Sequence, residues 1–278
     1  MPLKLMYITN RPEIAQIAES AGVDRIFVDM EYIGKEKRQN GLDTVMSRHS
    51  FEDIKKIANS VFSSEILARI NPIHDAFEKT PSTEEEIDMA IEGGADIIML
   101  PFFKTAYEVK RFIEYVDGRV RTMPLVETPE AVENIDKILD IPGIDEIFIG
   151  LNDLSIGYGK KFMFELLADG TVEDLAYKFR KKNIPFGFGG IASIGKGMLP
   201  SENIIVEHYR LGSSSAILSR SFCNVNQISH LGVISSTFVN GIRQIRDYEA
   251  EVSHYSDFFK KNTEEIKETI SSITGNEK

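Results

Sequence analysis

One cysteine, Cys223, occurs among 278 residues, so an intramolecular disulfide and a cysteine-built zinc cluster are both excluded. That scarcity fits a reducing compartment. No apolar run approaches the ~20 residues that a membrane span requires. The opening "MPLKLMYITNRPEIAQ" lacks the apolar core of a signal peptide, and a cytoplasmic protein with no membrane partner is the expectation. Basic charge is also short: 32 Lys and Arg stand against 43 Asp and Glu, a formal net charge of −11. Nucleic acid selects a basic stripe, so it is not an expected partner. The histidines at 49, 74, 208, 230 and 254 form no H-x-x-x-H pair, which removes a zinc site of that type.

What the chain does have is alternation. Short apolar runs at 3–8, 24–31, 65–71, 96–102, 121–128, 146–153, 185–191 and 214–220 are separated by stretches such as "RPEIAQIAESAG" and "SFEDIKKIANSV". The latter carry apolar residues at three- and four-residue spacing, the helical period. Ser50 and Ser82 stand where N-caps belong, and Gly22, Gly93 and Gly94 where helices stop. Eight strand–helix alternations predict an α/β fold, a (β/α)8 TIM barrel over 1–235. An open doubly wound sheet competes, but no glycine-rich nucleotide loop follows the first strand. Residues 236–278 read as a C-terminal helical extension, either a solvated appendage or an oligomerisation element.

All strands of such a barrel end at one mouth, where catalytic groups gather. Strand two ends in Asp29 and Glu31, strand three in Arg69 and Asn71, strand five in Glu127, and strand six in Asp153. Carboxylates without nearby histidine or cysteine suit a hard divalent cation, Mg2+ or Mn2+. The competing reading is that each carboxylate caps the helix that follows it. Arg69 offers a fork matched to a carboxylate or phosphate, or else a rim salt bridge to Glu31. A cation and an arginine together describe a site for a bidentate anion such as a 2-oxo acid.

The stretch "PLVETPEAVENIDKILDIPGIDEIFIGLNDLSIGYG", with "VDRIFVDMEY", "LARINP" and "GADIIMLPFFKTAYEV" before it, resembles the HpcH/HpaI aldolase and citrate lyase family of TIM barrels. The resemblance runs from about residue 15 to 160. It implies a metal-dependent carbon–carbon lyase that cleaves or forms a 2-oxo acid through a metal-bound pyruvate enolate, with an aldehyde as the other partner. It makes Glu127 and Asp153 the metal ligands, Arg69 the group that binds the oxo acid, and Asp29 with Glu31 the acidic pair beside them. It also implies a homo-oligomer. Two alternatives accompany it: a citrate-lyase-β-like enzyme acting on an acyl-CoA, and a barrel that binds metal and oxo acid without turnover.

The chain departs from the family pattern at several positions. The histidine expected after the strand-two glutamate is Tyr32, the glutamine before the metal-binding glutamate is Leu125, and Leu151 and Asn152 alter the substrate-facing turn. Tyr32 is taken as the catalytic substitute. His49 is either a second substitute or a surface histidine. The loops "FGFGGIAS" and "RLGSSSAILS" suggest an anion cradle built from Gly189, Gly190, Ser213 and Ser214. "GIASIGKG" at 190–197 has P-loop spacing, but Gly197 replaces the hydroxyl residue that binds Mg2+. "GKEKRQNGL" at 34–42 reads as a solvated loop or a lid.

Overall fold

Eight parallel strands close into a barrel in chain order in a computed structural model, which describes residues 1–35, 47–225, 227–228, 230–252 and 257–275. They are β1 (Lys4–Ile8), β2 (Arg25–Asp29), β3 (Glu65–Arg69), β4 (Ile97–Leu100), β5 (Arg121–Val126), β6 (Ile147–Ile149), β7 (Phe186–Ile191) and β8 (Ser215–Leu218). Each expected run contains its strand, and the (β/α)8 barrel is formed. Most of the runs overshoot at their C-terminal ends, because there the chain leaves the ladder and turns toward the next helix. The 34–42 stretch lies, from residue 36, outside the described residues.

Alternate residues of a strand face the same way, and here that rule sorts the barrel interior into layers. Arg25, Phe27 and Asp29 follow one another along β2, paired in register with Glu65, Leu67 and Arg69 of β3. Met6, Phe27, Leu67, Ile97, Met99, Met123, Leu125 and Phe148 form the apolar middle. Below it, toward the strand N-termini, Arg25 donates from both terminal nitrogens to Glu146 (2.8 and 2.6 Å) and from Nε to Glu65 (2.9 Å). Arg121 pairs with the same two glutamates. This ionic ring floors the barrel, and Arg25 is fully buried within it. The opposite strand face packs Ile26, Val28, Ile66, Ala68, Ile98 and Leu100 against the surrounding helices.

Helix starts follow the sequence signals. Ser50 and Ser82 both close capping boxes, with Asp53 and Glu85 respectively. Gly22 and Gly94 adopt φ of +98° and +100° just past their helices, a conformation that L side chains resist. The Leu231–Val252 helix packs against the Pro12–Ser20 helix, so residues 235 and 236 lie within a single helix. Its Glu249 accepts from the Leu3 amide at 2.7 Å and its Arg246 donates to the Leu3 carbonyl at 2.8 Å. The Asp257–Thr274 helix rests on the Ser201–Leu211 helix, where Asn262 bonds to Glu207 at 3.0 Å. No described helix is long and apolar enough to cross a membrane.

Arg25→Met should expose how much the floor contributes. It leaves buried Glu146 and half-buried Glu65 sharing only Arg121, and a loss of about 3 kcal/mol is expected in urea unfolding.

Candidate functional site

The strand C-termini surround a cavity of about 360 Å³ lined by Asp29, Lys35, Arg69, Glu127, Asn152 and Asp153, with Phe27, Met99 and Phe148 beneath. Layering explains why these charges meet. Asp29 and Arg69 stand one step above the apolar middle on β2 and β3, and Glu127 directly follows the last residue of β5.

Arg69 is clamped by Asp29. Its Nε and Nη2 donate to the two carboxylate oxygens, each at 2.8 Å, while Glu31 Oε2 lies 3.4 Å from Nε. The guanidinium carbon also sits 5.4 Å from the centre of the Phe27 ring, within cation–π range. Lys35 completes the network from the other side, with Nζ 2.9 Å from Asp29 and 3.3 Å from Glu31. Its side chain is 4% exposed, so this is a buried lysine. Burial by itself would raise the Asp29 carboxyl. Arg69 and Lys35 outweigh it and hold Asp29 well below the usual carboxylate range. Burial would likewise weaken Arg69 as a cation, and Asp29 and Glu31 more than restore it.

Glu127 lies in the opposite regime. It is buried, and its Oε1 accepts only one amide, that of Phe102 at 2.9 Å, among the hydrogen bonds resolved. Burial first, then the charges of Glu31 and Asp153, push its carboxyl well above the ordinary value, against the pull of Arg69. Its Oε2 lies 2.8 Å from where a β-carbon at Gly150 would stand, so only glycine there leaves the carboxylate its place. Asp153 occupies the first turn of the Leu151–Gly157 helix, which begins directly after β6. Among the described residues no group of three or more His, Cys, Asp or Glu could hold an ion alone. Two carboxylates with water and substrate at the remaining positions is the arrangement Mg2+ commonly accepts.

The other residues singled out from the sequence divide. Leu151, Asn152, Gly189 and Gly190 line the cavity. Tyr32 does not: its ring is half exposed and its hydroxyl donates to Thr80 Oγ1 at 3.1 Å. The cause is Asn71, whose Oδ1 accepts from the amides of both Tyr32 and Ile33 and fixes the turn outward. Asn71 is itself held by buried Glu86 at 3.0 and 2.7 Å. Ser213 and Ser214 need correction. They precede β8, so parallel strand direction puts them at the floor, where Ser214 donates to the Phe186 carbonyl at the start of β7 (3.0 Å). Ser219 and Arg220, which follow β8, line the mouth instead.

Two further residues join the site, one of them, His49, already raised by the sequence. Lys35, in the stretch the sequence reads as a solvated loop or a lid, is buried at the mouth instead. His49 is half-buried rather than a surface residue, and its Nδ1 accepts the Asp29 amide at 3.0 Å. The proton of its neutral ring therefore sits on Nε2. Burial lowers its pKa, although Asp29 and Asp53 oppose the shift.

Comparison with known proteins follows the same outline. The profile of the HpcH/HpaI aldolase/citrate lyase family matches residues 4–165. Among curated proteins, a pyruvate kinase of Thermococcus litoralis is 38% identical over 80 residues, 28% of this chain and 16% of that protein. A 2-keto-3-deoxy-L-rhamnonate aldolase of Shigella dysenteriae is 39% identical over 51 residues, 18% of this chain and 19% of the aldolase. The chain thus spans less than a fifth of either relative's length. Two solved structures share the fold. An HpcH/HpaI aldolase from Desulfitobacterium hafniense matches with TM-score 0.58 and 16% identity, over 88% of this chain and 93% of its own. An HpcH/HpaI aldolase/citrate lyase family protein from Burkholderia cenocepacia matches with TM-score 0.60 and 15% identity, over 88% and 95%.

The Glu127 shift has a sign that can be tested. A carboxyl raised by folding binds its proton more tightly in the native state, so stability falls as pH rises from the unfolded value toward the folded one. In the chelated protein, Glu127→Gln should therefore be more stable than wild type at pH 7–8, by at least about 1 kcal/mol in urea unfolding. The advantage should shrink as pH falls toward the ordinary carboxylate range.

Proposed function

The chain belongs to the HpcH/HpaI aldolase/citrate lyase family, and on that premise we propose that it is a divalent-metal-dependent carbon–carbon lyase whose product or donor is a 2-oxo acid. The observation that carries this reading is the placement of the Arg69 fork beside Glu127 and Asp153 in one cavity. Glu127 and Asp153 would hold Mg2+ or Mn2+, which when bound supplies Lewis acidity to the oxygens of the oxo acid.

The chain's own residues do the rest. Asp29 uses the Nε edge of Arg69, which leaves Nη1 and the second Nη2 hydrogen to meet the substrate. Because Asp29 fixes the fork, its positive charge needs no reorganisation when negative charge develops on the enolate oxygen. In cleavage, a 4-hydroxy-2-oxo acid loses its hydroxyl proton as the C3–C4 bond breaks. The aldehyde leaves, and the bonding pair moves onto the oxo-acid fragment. A proton returned to C3 completes pyruvate or its homologue.

Tyr32 is directed away from this chemistry. Lys35 is the proton-bearing group that lines the cavity in its stead, held against Asp29 and Glu31. The apolar middle layer beneath excludes water from the fragment that carries the charge.

Titration calorimetry with oxalate and pyruvate, with and without Mg2+ or Mn2+, tests the reading. Oxalate should bind only with metal, and Glu127→Ala combined with Asp153→Ala should abolish binding. Metal-independent binding, or retention in the double variant, removes the metal lyase. The proton-handling assignment is read separately. Lys35→Met should lower kcat on the order of 10²-fold or more, whereas Tyr32→Phe should change it by less than about 3-fold. The reverse order would return the role to Tyr32.

A further inference from the structure

The cavity at the strand ends is divided in its chemistry. Asp29, Lys35, Arg69, Glu127 and Asp153 come from the ends of β2, β3, β5 and β6 or from residues just past them. The side toward β7 and β8 is formed by Leu151, Met163, Gly189, Gly190, Ile217 and Leu218. None of these six carries a charge, or a side-chain N–H or O–H.

The end of β7 is what opens this side. Gly189 adopts φ of +55°, and a β-carbon there would stand 3.0 Å from Leu151 Cδ1 and 3.6 Å from Phe164 Cε1. Leu151 and the segment that carries Met163 therefore close directly on a strand end that has no side chain of its own. What the two glycines leave exposed to the cavity is the aliphatic surface of their neighbours. Ser219 and Arg220 also line the cavity, but they stand past the end of β8, where Arg220 is exposed.

We propose that this wall receives the substituent of the aldehyde partner, and that the substituent is an alkyl chain rather than a hydroxylated or charged one. The inference rests on the lyase reading for the position of the oxo acid. The oxygens of the oxo acid belong with Arg69, Glu127 and Asp153, so the rest of a longer substrate has the opposite side to occupy. Each methylene withdrawn from water there improves affinity by about 4-fold. A hydroxyl or carboxylate would lose its water on the same wall with no side chain among the six to replace it. Met163 and Ile217 are only partly buried, so they can be exchanged for polar groups of similar shape without emptying the core.

Substituted oxamates test the proposal without turnover. Their head presents a carboxylate and a carbonyl as a 2-oxo acid does, and the N-substituent stands where the aldehyde-derived carbon would be joined. Oxamate, N-butyl oxamate and N-(2-carboxyethyl) oxamate are titrated, with Mg2+ or Mn2+ present, into wild type, Met163→Gln/Ile217→Thr and Met163→Leu. In wild type the butyl compound should bind at least about 10-fold more tightly than oxamate, and the carboxyethyl compound no more tightly than oxamate. The butyl gain should collapse in the double variant and persist in Met163→Leu, which keeps the wall apolar. Every ratio is taken within one protein, and oxamate binding itself reports that each variant is folded. A smaller butyl gain in wild type, a gain that survives in the double variant, or a carboxyethyl compound that binds more tightly than the butyl one overturns the wall and leaves the oxo-acid site standing. Failure of all three compounds to bind wild type ends the lyase reading, and the proposal with it.

Discussion

The mouth of this barrel is governed by like-charge crowding. Glu31, Glu127 and Asp153 approach closely enough for the first and third to raise the Glu127 carboxyl, in surroundings that exclude most water. Such an arrangement is costly unless positive charge is brought in. Arg69 and Lys35 bring it, and the geometry shows where it goes. Both cations are anchored first on Asp29, with Glu31 at 3.3 and 3.4 Å as a second partner. Asp29 is therefore the keystone: it stays ionised because the two cations flank it, and it decides which edge of the Arg69 fork remains available.

The same alternation that builds the mouth builds the floor. Along β2, positions two residues apart read Arg25, Phe27 and Asp29, and along β3 they read Glu65, Leu67 and Arg69. Charge, apolar, charge is the order from floor to mouth. At the floor, the ion pairs satisfy one another completely, with Arg25 forked onto Glu146. At the mouth, buried Glu127 has no ion pair among the described residues and accepts the Phe102 amide. A closed set of pairs stabilises and does nothing else. The incomplete set is where a ligand gains from binding.

Much of this was legible in the linear sequence, and the reasons differ by residue. Glu127, Asp153 and Arg69 stand at strand ends, and parallel strands in a closed barrel bring their ends together whatever else the chain does. The eight strands were legible because buried parallel strands are continuous apolar runs. The floor was equally available, since Arg25 and Glu65 sit two residues before apolar interior positions, but only register shows that they meet. Tyr32 was misplaced because its direction is fixed by Asn71 and Glu86, which lie 39 and 54 positions away. Ser213 and Ser214 were misplaced through strand polarity: the residues before a strand and those after it belong to opposite faces. Lys35 carried no signal, since a lysine in a charged stretch is ordinarily solvated, and only the Asp29–Glu31 pair draws it inside.

Charge balance separates the ligands this mouth can accept. Among the described residues, Asp29, Glu31, Glu127 and Asp153 face Arg69, Lys35 and Arg220, so carboxylates exceed cations by one if all are ionised. A neutral ligand would leave that excess in place, and Glu127 would relieve it by taking up a proton. An anion alone would increase it. In the lyase reading proposed above, a divalent cation would turn that excess into one positive charge, which an oxo-acid anion would then cancel at the edge of Arg69 that Asp29 does not use. On that reading electrostatics would order the two ligands, cation first and oxo acid second.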